Sequence, residues 1–234
     1  KADKSDVARI INEYGINVRI ANMNSYVQTI VGGEASEIER FMKLLSDNNI
    51  VHTLLNVSHA FHTELIKEAA EDFYNKIKGL RFNKPKAKIM ACHLKEFYSD
   101  IADIASLLKE QITSPVNFID SIEKLYDEGV RVFIESGPSN VLTNLVKNIL
   151  DNKDVKVIPV NYKGKDSVES FKLAIASLFA CGVDVTMVPT YNILESSDKP
   201  LMNMLKGEDN SALSTNNISS SNVLSSNVSS NNIV

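Results

Sequence analysis

The chain has 234 residues, with 25 basic and 29 acidic side chains, a formal net charge of −4 and 44% hydrophobic residues. That fits one globular domain, or a large and a small lobe, and the slight acidic excess argues against a protein whose main task is binding nucleic acid. No uncharged apolar run reaches the roughly 18 residues of a membrane span, and the charged opening Lys1-Ala2-Asp3-Lys4 is unlike a signal peptide, so a cytoplasmic protein with no membrane or nucleic-acid partner is expected.

Ser5 reads as the N-cap of a helix to Tyr14, closed by Gly15. Val18–Ala21 alternates as a strand, and Tyr26–Val31 reads as a second strand ended by Gly32-Gly33. Glu34–Leu45 carries Ile38, Phe41, Met42 and Leu45 at helical spacing, and Val51–Leu55 is a third strand. This helix–strand–strand–helix–strand run lacks only a leading strand to make a ferredoxin-like unit. Leu65–Ile77 predicts a helix with Leu65, Ala69, Phe73 and Ile77 on one face. Strands at 88–91, 130–135 and 155–160 alternate with helices at about 101–111, 116–127, 140–150 and 168–180, which predicts a parallel sheet with helices on its faces. From Ser211 to Val234 the chain holds nine serines and six asparagines and no charged residue, Gly or Pro. Such a tract cannot bury enough apolar surface to offset its ordering entropy and is expected to be disordered.

The sharpest local feature is Val57-Ser58-His59-Ala60-Phe61-His62-Thr63, with two histidines three apart after a strand and at the mouth of a helix. Three readings are open. A histidine there can act as a general base, because its ordinary pKa lies near working pH, but it would need a nucleophile from elsewhere. A metal pair would need further ligands, and His52 and His93 are poorly placed to supply them. Two structural histidines are the third reading. Cys92 and Cys181 are too few and too far apart for a disulfide framework or a zinc site.

Four segments occur together in a telling order. Ala21-Asn22-Met23-Asn24-Ser25-Tyr26-Val27-Gln28, with Val31-Gly32-Gly33, resembles the "N-x-N-S-P-x-Q … (S/A)-G" stretch of malonyl-type acyltransferases. Val57–His62 resembles the "V-S-H-A-F-H-S" motif of polyketide synthase acyltransferase domains. Glu110–Phe118 resembles their "Q-L-x-S-P-V-x-F", and Phe133–Thr143 their "F-x-E-x-G-P-x-x-V-L-T". One departure is Tyr26, where that family usually has proline.

The resemblance implies roles by position. His62 matches the catalytic base, which takes the proton of a serine nucleophile and returns it to the leaving thiol. Gln111 matches the glutamine that holds that histidine, a neutral amide carbonyl accepting the other imidazole N–H where Ser-His-Asp triads use a carboxylate. His59 and Phe61 match substrate-selecting positions, in the "His-Ala-Phe-His" form of malonyl-using domains, and Asn24 is placed near the active site. Gly137-Pro138 is read as a strand-to-helix turn. No serine here sits in the "G-H-S-x-G" elbow that bears the family's nucleophile, so the nucleophile is expected outside this chain.

The resemblance thus implies the C-terminal part of a malonyl-CoA:acyl carrier protein transacylase, working in polyketide or fatty acid biosynthesis and inactive alone. The fold class is α/β: a ferredoxin-like small subdomain at 1–58, the C-terminal portion of an α/β-hydrolase-like large subdomain at 59–185, a linker at 186–210 and the disordered tail at 211–234. No bound cofactor is expected. Coenzyme A thioester is the implied donor, and the phosphopantetheine of an acyl carrier protein is the acceptor, with a ketosynthase or another synthase domain as a further partner. The competing reading is a non-catalytic remnant, or a module that docks a carrier protein or synthase, because the serine motif is absent.

Overall fold

The computed structural model describes residues 3–98 and 103–185, together with the backbone of 230–233. The first helix, α1 (Lys4–Tyr14), is capped by Asp3, not by the expected Ser5. The Asp3 carboxylate accepts the Asp6 N–H at 2.9 Å, which satisfies one of the donors that every helix start leaves over. Gly15 closes the helix in the left-handed conformation as expected, with φ 58°.

Strands β1 (Val18–Ser25) and β2 (Gln28–Glu34) form an antiparallel hairpin. Tyr26 and Val27 form its turn, so the second strand starts later than expected and runs through Gly32-Gly33. Gly33 has a steric reason: a Cβ there would lie 2.8 Å from Val18 Cγ1. Helix α2 (Ala35–Asp47) covers the hairpin and aims Ile38, Phe41 and Leu45 inward. These meet Val7, Ile10, Ile16, Val18 and Val31 in one core. The third strand, β3, shortens to Leu54–Leu55.

A 3-10 turn at Glu64–Ile66 leads into α3 (Lys67–Ile77). Its inner face is one residue out of phase with the expectation: Ile66 and Ala70 are buried, whereas Leu65 and Phe73 are exposed. The partner is α4 (Ile104–Thr113), whose Lys109 pairs with Glu71 and stacks over the Tyr74 ring. Residues 88–91 do not join a parallel sheet as expected; β4 (Met90–Ala91) pairs antiparallel with β5 (Glu96–Phe97). After α4, the short β6 (Val116–Asn117) lies parallel to β1 at Asn22 and Met23. Helix α5 (Phe118–Asp127), β7 (Val132–Glu135), α6 (Val141–Ile149) and β8 (Lys156–Pro159) follow, and β7 and β8 pair parallel. Ile122, Val146, Ile149 and Leu150 form a second core there, with Phe133 and Val157 against it.

Residues Ser230–Ile233 form β9, while the expected linker at 186–210 and the rest of the tract expected to be disordered lie outside the described residues. The main sheet has the order β3-β9-β2-β1-β6. Two compact units divide the chain: residues 1–177 with 228–234, and residues 178–227. Helix α7 (Ser167–Ala180) ends in the second unit, where the Val183 N–H reaches the Leu178 carbonyl and Gly182 takes a positive φ of 76°. No helix among the described residues is long and apolar enough to cross a membrane.

The turn at 136–140 carries an unforeseen device. Glu135, at the end of β7, folds its carboxylate over the start of α6 and accepts the N–H groups of Leu142 at 3.0 Å and Thr143 at 2.7 Å. Burial alone would push its pKa up. The N–H donors of the helix start outweigh that and hold the carboxyl below the usual glutamate value. The Thr143 hydroxyl, though it makes no hydrogen bond of normal geometry, adds the largest single pull in the same direction. A lowered folded-state value contributes stability above the ordinary pKa of about 4.3 and loses it as pH falls through the folded value. Glu135→Gln is therefore expected to cost about 1–2 kcal/mol near neutral pH, with a smaller deficit in strong acid. Urea melts of both proteins at pH 7 and pH 3 measure this, and an equal deficit at the two pH values would contradict it.

Candidate active site

Helix α4 is followed by Ser114-Pro115. The residue before a proline is pushed out of the helical region, and Ser114 indeed takes an extended conformation, with φ −101° and ψ 146°. Continuing the helix would have paired the Gln111 carbonyl with the N–H of residue 115, which proline lacks. The Gln111 carbonyl is left over as an acceptor by this local chemistry. The Ile112 carbonyl is left over as well, because the chain turns away into β6.

His62 meets both. Its ring Nδ1 lies 3.1 Å from the Gln111 main-chain oxygen, and its backbone N–H donates to the Ile112 carbonyl at 3.0 Å. The amide carbonyl that holds His62 thus belongs to the peptide bond of Gln111, not to its side chain. Because a carbonyl only accepts, Nδ1 carries the proton, and Nε2 is left with its lone pair. Among the described residues Nε2 makes no hydrogen bond.

To reach both carbonyls His62 adopts a left-handed backbone, with φ 63°, which is uncommon for a residue other than glycine. Its neighbours fix that geometry. Thr63 is buried, donates its hydroxyl to the Ala60 carbonyl at 2.7 Å, and accepts the Leu65 N–H as a cap for the next turn. Ala60 is fully buried. Glu64 pairs with Arg19 of β1, which ties the loop to the sheet.

His59 and Phe61 stand beside this base but face solvent more openly. Their rings meet edge to face with centroids 6.2 Å apart, Phe61 is 47% exposed, and His59 Nδ1 lies 2.8 Å from the Ser58 hydroxyl. Asn24 is engaged elsewhere: its side-chain amide donates to Gln28 Oε1 at 3.0 Å, across the mouth of the β1–β2 turn. No hydrogen bond joins it to His62 among the described residues. In that turn Tyr26 hydrogen-bonds Glu123 of α5; this bond first, then burial and the Glu123 and Asp120 charges, push the phenol up to about 12.

The structure therefore brings His62 and Gln111 together, keeps His59 and Phe61 in the same loop, and leaves Asn24 bonded within its hairpin. Ile112 and Pro115 join the site although sequence reasoning passed over them; the signal available was a proline four residues beyond Gln111. A cavity of about 410 Å³ opens elsewhere, lined by Thr29, Phe41, His52 and Asn148 among others, and His62 is not in its wall. His93 sits by Glu110 with neither ring nitrogen hydrogen-bonded, and burial pushes its pKa down against the pull of that carboxylate. No group of three or more His, Cys, Asp or Glu among the described residues could hold a metal ion.

The family model described as "Acyl transferase domain" matches residues 6–185. Among curated proteins, the malonyl CoA-acyl carrier protein transacylase of Bacillus subtilis (strain 168) is 35% identical over 169 residues, covering 72% of this chain and 51% of that protein. The structure is similar to the acyltransferase domain from the second module of the salinomycin polyketide synthase, with a TM-score of 0.73 and 26% identity, over 87% of this chain and 46% of that one. It is similar, too, to a malonyl-transacylase solved in complex with a type II polyketide synthase acyl-carrier protein, at a TM-score of 0.66 and 26% identity, over 76% of this chain and 56% of that one. The chain spans about half the length of these relatives. With most of its residues matched by one family model and its fold shared with solved members, the chain belongs to the acyl transferase domain family.

Proposed function

We propose that this chain is the base-bearing part of a transacylase that moves a malonyl group from coenzyme A to the phosphopantetheine thiol of an acyl carrier protein. The observation that carries the reading is His62, turned so that Nδ1–H faces the Gln111 carbonyl and Nε2 is free to accept a proton. The names of the similar proteins and the order of the four motifs support the substrate class.

The serine nucleophile comes from polypeptide outside this chain. His62 Nε2 takes the hydroxyl proton as the serine oxygen attacks the thioester carbonyl, and gives it to the departing coenzyme A thiolate. In the second half, the carrier's thiol gives its proton to His62 as it attacks the serine ester, and the proton returns to the serine. During both halves the ring becomes an imidazolium at the C-terminal end of α4, where the helix dipole is negative and stabilises the added charge. Phe61 and His59 flank the base, and a bulky Phe61 leaves little room for an α-methyl group. One methyl is worth about 1–3 kcal/mol in such a pocket, so the result is preference for malonyl, not exclusion of its methyl homologue.

Four outcomes test the reading. Joined to a segment bearing a Gly-His-Ser-x-Gly elbow and incubated with malonyl-CoA, the protein should gain the mass of a malonyl group; if it never does, the docking-module reading replaces this one. His62→Ala in the joined protein should slow acylation by about 100-fold or more. Gln111→Ala, which keeps the main-chain carbonyl, should acylate about as fast as the parent, whereas Pro115→Ala restores a competing N–H and should lower kcat by about 10- to 100-fold with KM little changed. The reverse pattern for these two variants would assign the holding group to the Gln111 side chain. Phe61→Ser should shift the ratio of methylmalonyl to malonyl transfer upward by about 10-fold, measured with the two thioesters in competition.

A further inference from the structure

Between Asp72 and Glu96 the chain carries seven basic residues and no acidic one, which leaves 18 basic against 29 acidic side chains elsewhere. Two of the seven are neutralised: Lys88 pairs with Glu128, just past α5, and Lys95 with Asp120 within it. The other five are Lys76, Lys78, Arg81, Lys84 and Lys86. All are exposed, and none meets a carboxylate among the described residues.

Helix geometry explains only part of this run. Lys76 and Lys78 stand at the C-terminal end of α3, where the helix dipole favours positive charge. Arg81, Lys84 and Lys86 lie beyond the helix, on a segment whose Phe82 and Pro85 are half-buried. Lys78 is already placed: its ammonium donates to Asn75 Oδ1 at 2.9 Å and stands 6.0 Å from the centre of the Tyr74 ring. Between Lys78 and Arg81, Leu80 is 59% exposed. An apolar centre with a charged rim is the anatomy of a protein-docking patch. The patch is also bounded. Glu71 and Asp72 precede it, and Glu96 follows it. Charges act over only about 8 Å in physiological salt, so a local acidic surface gains from the patch. A long nucleic acid or a lipid sheet would run on over the acidic remainder.

We propose that residues 76–86 form a docking face for an acidic helix on a partner protein. Carboxylates three and four residues apart share one side of such a helix. They meet the lysines and the Arg81 fork, which binds carboxylates in a two-bond geometry, while an apolar residue among them covers Leu80. The face begins at the last turn of α3, about 16 Å along that helix from its start, and His62 lies before that start. This inference is therefore independent of the transferase reading.

The probe is a fluorescent helical peptide of about 20 residues, with glutamates and one leucine on a single face. The full chain should bind it saturably. Reversing the patch with Lys78→Glu, Arg81→Glu and Lys84→Glu together should weaken binding by about 10-fold or more. Reversing three exposed lysines elsewhere, with Lys147→Glu, Lys163→Glu and Lys172→Glu, changes the net charge equally and should leave binding within about 2-fold of the parent. Leu80→Ser should weaken it by about 3-fold or more. Equal losses in the two reversed proteins overturn the proposal, since net charge alone would then attract the peptide. So does equal binding of a peptide with glutamine in place of glutamate. Tighter binding to equimolar phosphatidylserine–phosphatidylcholine vesicles, or to a short DNA duplex, overturns the choice of partner. If the reversed protein does not fold, Lys78→Gln, Arg81→Gln and Lys84→Gln together should still weaken binding by about 3-fold against the matching glutamine control, and no difference refutes the face.

Discussion

The candidate site hangs on two carbonyls that a helix cannot use. Helix α4 ends because Ser114 precedes a proline, and that proline offers no N–H to the Gln111 oxygen four residues back. His62 takes up both loose ends, Nδ1 on Gln111 and the backbone N–H on Ile112. The magnitudes show why two bonds are needed. A left-handed backbone costs about 1–2 kcal/mol for a residue with a Cβ, and a typical hydrogen bond contributes about 0.5–1.5 kcal/mol net. One bond alone roughly breaks even. Two bonds, with Thr63 locked onto the Ala60 carbonyl below, hold the ring in a single orientation.

The rest of the described fold brings these two pieces of chain together. The loop before α3 meets the end of α4 through His62, Gln111 and Ile112, and the Glu71–Lys109 pair joins the two helices as well. Arg19 on β1 holds Glu64, next to the loop, and β6 carries the chain from Pro115 directly onto β1. The hairpin therefore supports the base from two directions although it contributes no reacting atom. Glu135 does comparable work in the other core: it secures the start of α6 and gives the "F-x-E-x-G-P" segment a structural purpose separate from the chemistry.

Much of this was legible in the sequence, and the misses have physical reasons. Helices α1 and α2 and the start of β1, the first of the two strands between them, followed from apolar spacing and from Gly15. The cap moved to Asp3 because a carboxylate two residues earlier wins the Asp6 N–H. The buried stripe of α3 was placed one residue off, since Ile66-Lys67 begins the α-helix only after a 3-10 turn that shifts its phase. The pairing of His62 with position 111 was legible from motif order. That the acceptor is main chain was hidden, because a motif records side chains while the contact ignores them. Strand β9 was not expected, because a Ser/Asn-rich stretch carries little strand signal and Asn is a poor strand former.

The place of β9 also sets how the sheet would carry a mechanical load. Because β9 is bonded along its length to β2 on one side and to β3 on the other, tension applied along its axis strains both ladders at once, in shear. Bonds loaded in that direction fail together and not one by one. β3, which among the described residues joins the sheet through β9 alone, would be released in the same event.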